Sequence, residues 1–98
     1  MKEASDLTGD SIVARNDGLL TAEVDGELMA MSVERGVCYG LNAVGTRIWA
    51  LIEEPRTIDE LCAQLLSEFE VDPAQCRSEL VSLIEDLRAE GLATVRNG

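Results

Sequence analysis

The sequence predicts an α+β fold, in which a three-stranded antiparallel meander is followed by a three-helix bundle. Two observations support this prediction. In the first half, short apolar runs alternate with Gly-containing turns, whereas from Asn42 onward apolar residues recur at spacings of three and four. Ninety-eight residues can build one hydrophobic core but not two. We therefore expect a single domain over residues 1–98, with its ordered part at about 11–96.

Three runs predict the strands of the meander: Leu20–Val24, Glu27–Val33 and Val37–Leu41. Asp25-Gly26 separates the first two, and this pair is typical of a two-residue hairpin because a type I′ turn needs positive φ at both loop residues. Glu34-Arg35-Gly36 provides the second turn. A further short strand, Ser11–Arg15, is predicted before the turn Asn16-Asp17-Gly18, after a polar lead-in over residues 1–10.

Three helices follow, and each has a recognisable N-terminal signal. These signals are, in chain order, Asn42, the capping-box sequence Thr57-Ile58-Asp59-Glu60 and the pair Asp72-Pro73. The first helix is expected to run to about Glu53, since Pro55 disfavours helical geometry before it. Gly91 is expected to end the third helix. The closing run Leu92–Val95 is expected to pack beneath the bundle, which gives a winged-helix-like order of elements.

The charge of the chain excludes several classes of partner. It carries 19 acidic and 8 basic side chains, a formal net charge of −11. Nucleic-acid binding depends on Lys and Arg that neutralise phosphates, so neither nucleic acid nor an anionic membrane surface is an expected partner. No apolar run approaches the roughly 20 residues of a membrane helix, and the N-terminus lacks the layout of a secretory signal. We expect a cytoplasmic protein.

Residues suited to catalysis or to metal binding are scarce. The chain has no histidine, no Gly-rich phosphate-binding loop, and three cysteines without C-x-x-C spacing. Cys38 has no evident base beside it, and the acidic pairs are typical of a solvated helix face. The sequence therefore predicts no enzyme activity, no cofactor and no metal, with reduced and mostly buried thiols.

The third predicted strand, Val37–Leu41, is an unprotected edge. It contains neither a charge nor a proline, the devices by which soluble proteins usually protect edge strands, and Gly40 permits the close approach of another backbone. Two interpretations remain open. The strand is covered by the protein's own helices or tail, or it accepts an extended peptide as an additional strand.

The third helix offers a wall beside that edge. On a helical wheel Cys76, Leu80, Leu83 and Leu87 share one face, which predicts the core stripe. A flank of mixed apolar and basic character suits a peptide with apolar anchors and a carboxylate; it consists of Arg77, Val81, Ile84 and Arg88. The alternative is an ordinary surface, in which Val81 is simply exposed and each Arg pairs with a Glu of its own helix.

One stretch of the chain resembles a known family. Gly36–Trp49 is similar to the pattern G-x-Y-Y-x-L-N-x-x-G-x-x-I-W of the PqqD-like family, whereas Arg56–Leu61 and Leu83–Leu92 match its more generic helical segments. The similarity covers about Leu20 to Val95. Cys38 departs from the pattern at a position where an aromatic residue is frequent.

The resemblance implies a recognition element that binds the leader peptide of a ribosomally synthesised precursor and presents it to a modifying enzyme. It implies an added strand on the third strand, in a groove walled by the third helix. The peptide-binding residues predicted in this way are Val37, Cys38, Tyr39, Gly40 and Leu41 for the backbone ladder, with Arg77, Val81, Ile84 and Arg88 for the wall. Tyr39, Asn42 and Trp49 are expected to have structural roles.

Several functional alternatives remain open at this point. The interpretation that we favour is a stand-alone recognition element in lasso-peptide biosynthesis, with a leader peptidase as the expected partner. The first alternative is a peptide chaperone in pyrroloquinoline quinone (PQQ) biosynthesis that works with a radical-SAM enzyme. The second is an acidic winged-helix regulator that acts through protein contacts. We expect a monomer, with a strand-swapped dimer as a possible form because the edge is open.

Overall fold

The computed structural model describes residues 7–16, 18–25 and 27–96. Most of the predicted lead-in and the central residues Asp17 and Gly26 of two predicted turns lie outside these ranges. The strands are β1 Ile12–Arg15, β2 Leu19–Val24, β3 Glu27–Ser32, β4 Val37–Leu41, β5 Arg56–Thr57 and β6 Ala93–Arg96. The helices are α1 Ala43–Leu51, α2 Ile58–Glu68 and α3 Pro73–Ala89. Antiparallel strands followed by three helices confirm the predicted α+β class.

The predicted meander is present as a sheet with the strand order β2-β3-β4. The register of β2 on β3 runs from Leu19↔Ser32 to Val24↔Glu27, so that a two-residue loop joins them. Asp25 in that loop has φ of 53°, the left-handed conformation that the Asp-Gly signal predicted. Both β2 and β4 are therefore edge strands of this sheet within the described residues.

A second sheet, with the order β5-β1-β6, was not predicted. The closing run of the chain forms β6, which pairs antiparallel with β1 from Ile12↔Arg96 to Arg15↔Ala93. This pairing differs from the expectation that the run packs beneath the helical bundle. Because the paired residues are about eighty positions apart and the strands are short, no local pattern identifies their partners.

All three predicted helix caps form. The Asn42 side chain accepts a hydrogen bond from the Gly45 amide at 2.8 Å, and Thr57 and Glu60 form a reciprocal capping box. The Asp72 carboxylate accepts from the Gln75 amide at 3.1 Å. The first helix ends at Leu51, about two residues before the predicted end. No helix within the described ranges is long and apolar enough to cross a membrane.

The hydrophobic core lies between one face of the meander and the three helices. Its fully buried members include Ala30 from β3, Ile48 from α1, Leu65 from α2 and Leu80 from α3. The cysteines depart from the prediction of mostly buried thiols: Cys76 is buried, Cys62 half-buried and Cys38 exposed. Strand alternation explains Cys38, whose side chain points to the sheet face opposite the helices.

Candidate functional site

The edge strand β4 presents backbone groups that no strand of the meander uses. Val24 and Glu27 close the two-residue loop between β2 and β3, and such a closing pair exchanges both of its hydrogen bonds. Alternation then directs the backbone groups of Glu27, Met29 and Met31 toward β2. The intervening residues of β3, which begin at Leu28, bond to β4.

The register of β3 on β4 fixes which residues of β4 face outward. Val37, Tyr39 and Leu41 lie opposite the β3 residues that bond to β4. The N–H and C=O groups of Cys38 and Gly40 therefore point away from β3, toward the open edge. By the same alternation, the outward-facing residues on the opposite edge strand, β2, include Thr21.

A groove of about 520 Å³ lies beside this edge, between β4 and the helices. Tyr39 and Leu41 share the sheet face of the buried Ala30, so their side chains project toward the helices and line the groove. The rest of its apolar lining comes from all three helices and the segment after α2: Val44, Ile48, Leu65, Phe69, Val71, Leu80 and Leu83. Its volume lies within the range usual for ligand pockets, about 300–1,000 Å³.

The wall contributed by α3 is formed by Cys76, Ser78, Glu79, Leu80, Ser82, Leu83 and Asp86. Glu79, Leu83 and Asp86 line the groove at spacings of four and three residues, so they share one face of the helix. Leu83 is half-buried between two exposed carboxylates, and the buried Leu80 and Cys76 lie along the same cavity. The wall is thus apolar at its centre and acidic toward both ends.

The α3 residues chosen from the helical wheel do not line this groove. Ile84 is fully buried in the core, and Arg77 donates through Nη1 to Asp59 of α2 at 3.0 Å. Val81 packs partly buried against the core, and Arg88 is likewise half-buried. The wheel placed Leu83 in the core and Ile84 on the wall, whereas the structure buries Ile84 completely and leaves Leu83 half-buried, packed against the core and lining the groove. A wheel gives relative angles only, so it does not reveal which of two adjacent apolar residues faces another helix.

Sequence reasoning therefore missed the α3 residues that line the groove, which are Cys76, Ser78, Glu79, Leu80, Ser82, Leu83 and Asp86. The apolar pattern of α3 carries no signal for these positions. Leu80, Leu83, Ile84 and Leu87 lie within about 100° of one another on a helical wheel, which is the width of an ordinary core-facing stripe.

Tyr39 links the edge strand to the helical wall. Its hydroxyl donates to Oδ2 of Asp86 at 3.1 Å. The pKa of Tyr39 is raised above its ordinary value, first by burial and then by the hydrogen bond and negative charge of Asp86, with a further contribution from the charge of Glu90. The neutral phenol is the favoured state, so Tyr39 acts as a hydrogen-bond donor at the groove.

The described residues contain no group of three or more His, Cys, Asp or Glu side chains placed to hold a metal ion. What the site combines is a row of outward backbone amides and carbonyls with an adjoining apolar groove. This combination suits an extended peptide, whose backbone would pair with β4 while alternate side chains enter the groove.

Comparisons with known proteins agree with this geometry. A solved structure described as "TbiB1 in Complex with the TbiA(beta) Leader Peptide" is similar, with a TM-score of 0.72, 29% identity, and coverage of 82% of this chain and 93% of that one. A second, "Lasso peptide synthetase B1 complexed with the leader peptide", shares the fold at a TM-score of 0.72 with 18% identity, covering 84% of this chain and 96% of that one.

Curated proteins gave no match. The model of the family described as "Coenzyme PQQ synthesis protein D (PqqD)" matches residues 27–93, a span that contains the whole groove and both β3 and β4. This match covers about two thirds of the chain and includes the motif from Gly36 to Trp49. The chain belongs to the PqqD family.

Proposed function

We propose that this protein binds the leader peptide of a ribosomally synthesised precursor as an additional antiparallel strand on β4. The observation that carries the proposal is the open edge of β4, where Cys38 and Gly40 direct backbone groups toward solvent beside an apolar groove. Strand addition uses both features, since backbone hydrogen bonds supply affinity and pockets for alternate side chains supply specificity.

The solved relatives support the same use of the fold. TbiB1, at 29% identity, was solved with a leader peptide bound. We transfer peptide binding to this chain because the matched region includes the edge strand and the helical wall together. The binding residues that we propose are Val37–Leu41 on the edge, with Glu79, Leu83 and Asp86 on the wall in place of the residues from the helical wheel.

Energetic considerations require the groove as well as the edge. Two outward-facing residues offer up to four backbone hydrogen bonds, each worth about 0.5–1.5 kcal/mol net. Ordering a disordered leader costs about 2–5 kcal/mol or more. Because these terms nearly cancel, apolar side chains in the groove must supply the surplus, at about 1.5–3 kcal/mol for each one fully buried. Leu83 and its neighbours provide the surface for them.

We further propose that the protein is a non-catalytic, cytoplasmic partner that presents the bound precursor to a modifying enzyme. The similarity to lasso-peptide proteins favours a leader peptidase as that enzyme. The alternative is a peptide chaperone in PQQ biosynthesis, which the description of the matching family favours. Both alternatives use the same site and differ in the precursor that occupies it.

Fluorescence anisotropy with a labelled leader peptide tests strand addition. The leader is that of the precursor encoded in the same gene cluster as this chain. Cys38→Pro removes an outward amide from β4, and Cys38 is exposed, so the proline ring replaces a side chain that packs against little. We expect a loss of affinity of about tenfold or more, since at least one hydrogen bond and the close approach of the strand are lost.

Thr21→Pro is the matched control, because it removes an outward amide from the other edge strand, β2, at an exposed position. It is expected to bind the leader as the parent does. Circular dichroism establishes that both variants are folded. Equal affinities for the two proline variants, or no leader binding by the folded parent, would contradict strand addition on β4.

A further inference from the structure

We propose that the groove selects a cationic leader segment, one that places Lys or Arg side chains against Asp86 and Glu79 on either side of an apolar residue at Leu83. This inference rests on the proposed function and adds to it the chemical class of peptide that the site accepts. It departs from the sequence analysis, in which the arginines of α3 were expected to receive a carboxylate.

The first support is the placement of the two carboxylates along the groove. Glu79, Leu83 and Asp86 lie on one face of α3, about 6 Å and 4.5 Å apart along the helix axis. Residues of an extended peptide that face the same side are spaced by about 6.6–6.8 Å. For a peptide strand that runs alongside α3, an apolar residue opposite Leu83 has its same-face neighbours within reach of both carboxylates. The expected pattern is basic-x-apolar-x-basic.

The second support is that the groove contains no basic side chain of its own. No Lys or Arg is among the residues that line it. Arg47 pairs with Glu68 at 2.7 Å and Arg77 with Asp59 at 3.0 Å, and neither pair lies in the groove lining. Glu79 accepts a hydrogen bond from Gln75 Nε2 at 3.0 Å and Asp86 accepts one from the Tyr39 hydroxyl at 3.1 Å. Both donors are neutral, so each carboxylate keeps its negative charge available to a peptide cation.

Two further arginines are held by backbone oxygens away from the groove. Arg15 donates to the Trp49 carbonyl at 2.6 and 2.9 Å, with its guanidinium 4.8 Å from the centre of the Trp49 ring. Arg56 donates to the Leu51 carbonyl at 2.6 Å.

The chain as a whole carries a net charge of −11, so its field also attracts a cationic segment and repels an anionic one.

The third support is the fixed position of Asp86. Its Oδ2 accepts the Tyr39 hydroxyl at 3.1 Å, which holds the carboxylate at the groove between β4 and α3. A carboxylate has two oxygens with several acceptor sites, so this bond leaves capacity for a cation. Preorganisation of this kind lowers the entropic cost of forming an ion pair, a cost that exposed pairs usually pay in full.

Selection from a random library tests the inference without assuming a precursor. Twelve-residue random peptides displayed on their encoding mRNA are selected on the full-length protein. Peptides that bind the parent but not Cys38→Pro are kept as edge-dependent binders. We expect these to be enriched in Lys and Arg two positions from an apolar residue. Replacing the basic residue with norleucine, which keeps the alkyl stem, is expected to weaken binding about three- to fivefold at low salt.

A double-mutant cycle assigns that loss to the two carboxylates. Glu79→Gln together with Asp86→Asn keeps hydrogen-bond acceptors at both positions, Asp86→Asn retaining one for Tyr39, and is expected to abolish the difference between the basic and norleucine peptides. Glu53→Gln with Glu54→Gln changes the net charge equally at exposed positions outside the groove. This control pair is expected to preserve the difference.

The outcomes separate the inference from the function on which it rests. Edge-dependent binders without basic enrichment would overturn the cationic preference while leaving strand addition intact. The same would follow if the norleucine penalty were unchanged in the Glu79/Asp86 double variant. A selection that gives no edge-dependent binder from the folded protein would overturn the proposed function, and the preference with it.

Discussion

The meander has two edge strands, and they differ in what lies beside them. Every residue of β2 from Leu20 to Val24 is exposed, and Leu20 and Val24 each keep 55% of their surface accessible although both are apolar. In β4 exposed and partly buried residues alternate, and the strand ends in the buried Leu41. The groove of about 520 Å³ runs between β4 and the helices, whereas a smaller pocket of about 370 Å³ reaches β2 only at its first residue, Leu19, and has a mainly polar lining.

This difference shows what turns an open edge into a binding site. Both edges offer outward backbone groups, and backbone hydrogen bonds alone barely offset the cost of ordering a peptide. Of the two, β4 is the edge with an apolar groove alongside it, in which alternate side chains of an incoming strand can be buried. We infer that the groove, rather than the unpaired amides, decides which edge is used.

The largest expected difference between the two edges comes from a charge placed on the α3 wall of the groove. Leu83→Asp puts a carboxylate at the apolar centre of the groove, where it would be buried without a partner by the incoming peptide. We expect leader affinity to fall by at least about tenfold, the equivalent of losing one apolar anchor. Isothermal titration calorimetry with the leader measures the loss.

Leu20→Asp is the matched change on the other edge, since Leu20 is also apolar and more exposed. Affinity for the leader should be unchanged in this variant. A comparable loss from both substitutions would indicate a general effect of added negative charge, and the distinction between the two edges would then fail. Both changes add one negative charge, so the comparison is balanced for net charge.

A smaller effect is expected on the titration of Tyr39, the single tyrosine of the chain. Its pKa is raised by burial and by Asp86, so the neutral form stabilises the fold up to the usual pKa of tyrosine. That contribution is lost as the pH rises through the elevated value. Asp86→Asn removes the charge and is expected to lower the pKa of Tyr39.

Absorbance of the phenolate near 295 nm follows this titration in the parent and in the variant. Glu53→Gln serves as the control, because Glu53 is exposed and does not contribute to the shift at Tyr39. A midpoint unaffected by Asp86→Asn would mean that the bond across the groove between β4 and α3 does not persist in solution.

Much of the fold follows from local signals in the sequence. The Asp-Gly hairpin, the three helix caps and the unprotected strand Val37–Leu41 each depend on residues a few positions apart, so the chain itself reveals them. The second sheet depends on pairs such as Ile12↔Arg96, whose two residues carry no mutual signal. The exposed position of Cys38 followed from strand alternation, but the general preference of cysteine for burial obscured it.

For the proposed site, the sequence carries a signal on the strand and none on the helix. The strand identifies its own open edge through the absence of charges and proline. The helix shows adjacent apolar residues Leu83 and Ile84, and only tertiary packing decides that Ile84 enters the core and Leu83 lines the groove. As a consequence of this packing, the acidic residues Glu79 and Asp86 face the groove, where the basic flank with Arg77 was expected from the helical wheel. The expected charge of the ligand was reversed as a result.

Amide hydrogen exchange measured by NMR, with and without the leader, tests the central claim most directly. We expect the outward amides of Cys38 and Gly40 to become protected when the leader binds, whereas the outward amides of Thr21 and Glu23 on β2 exchange as before. Protection on β2, or unchanged exchange at Cys38 and Gly40 in a saturated complex, would contradict strand addition on β4.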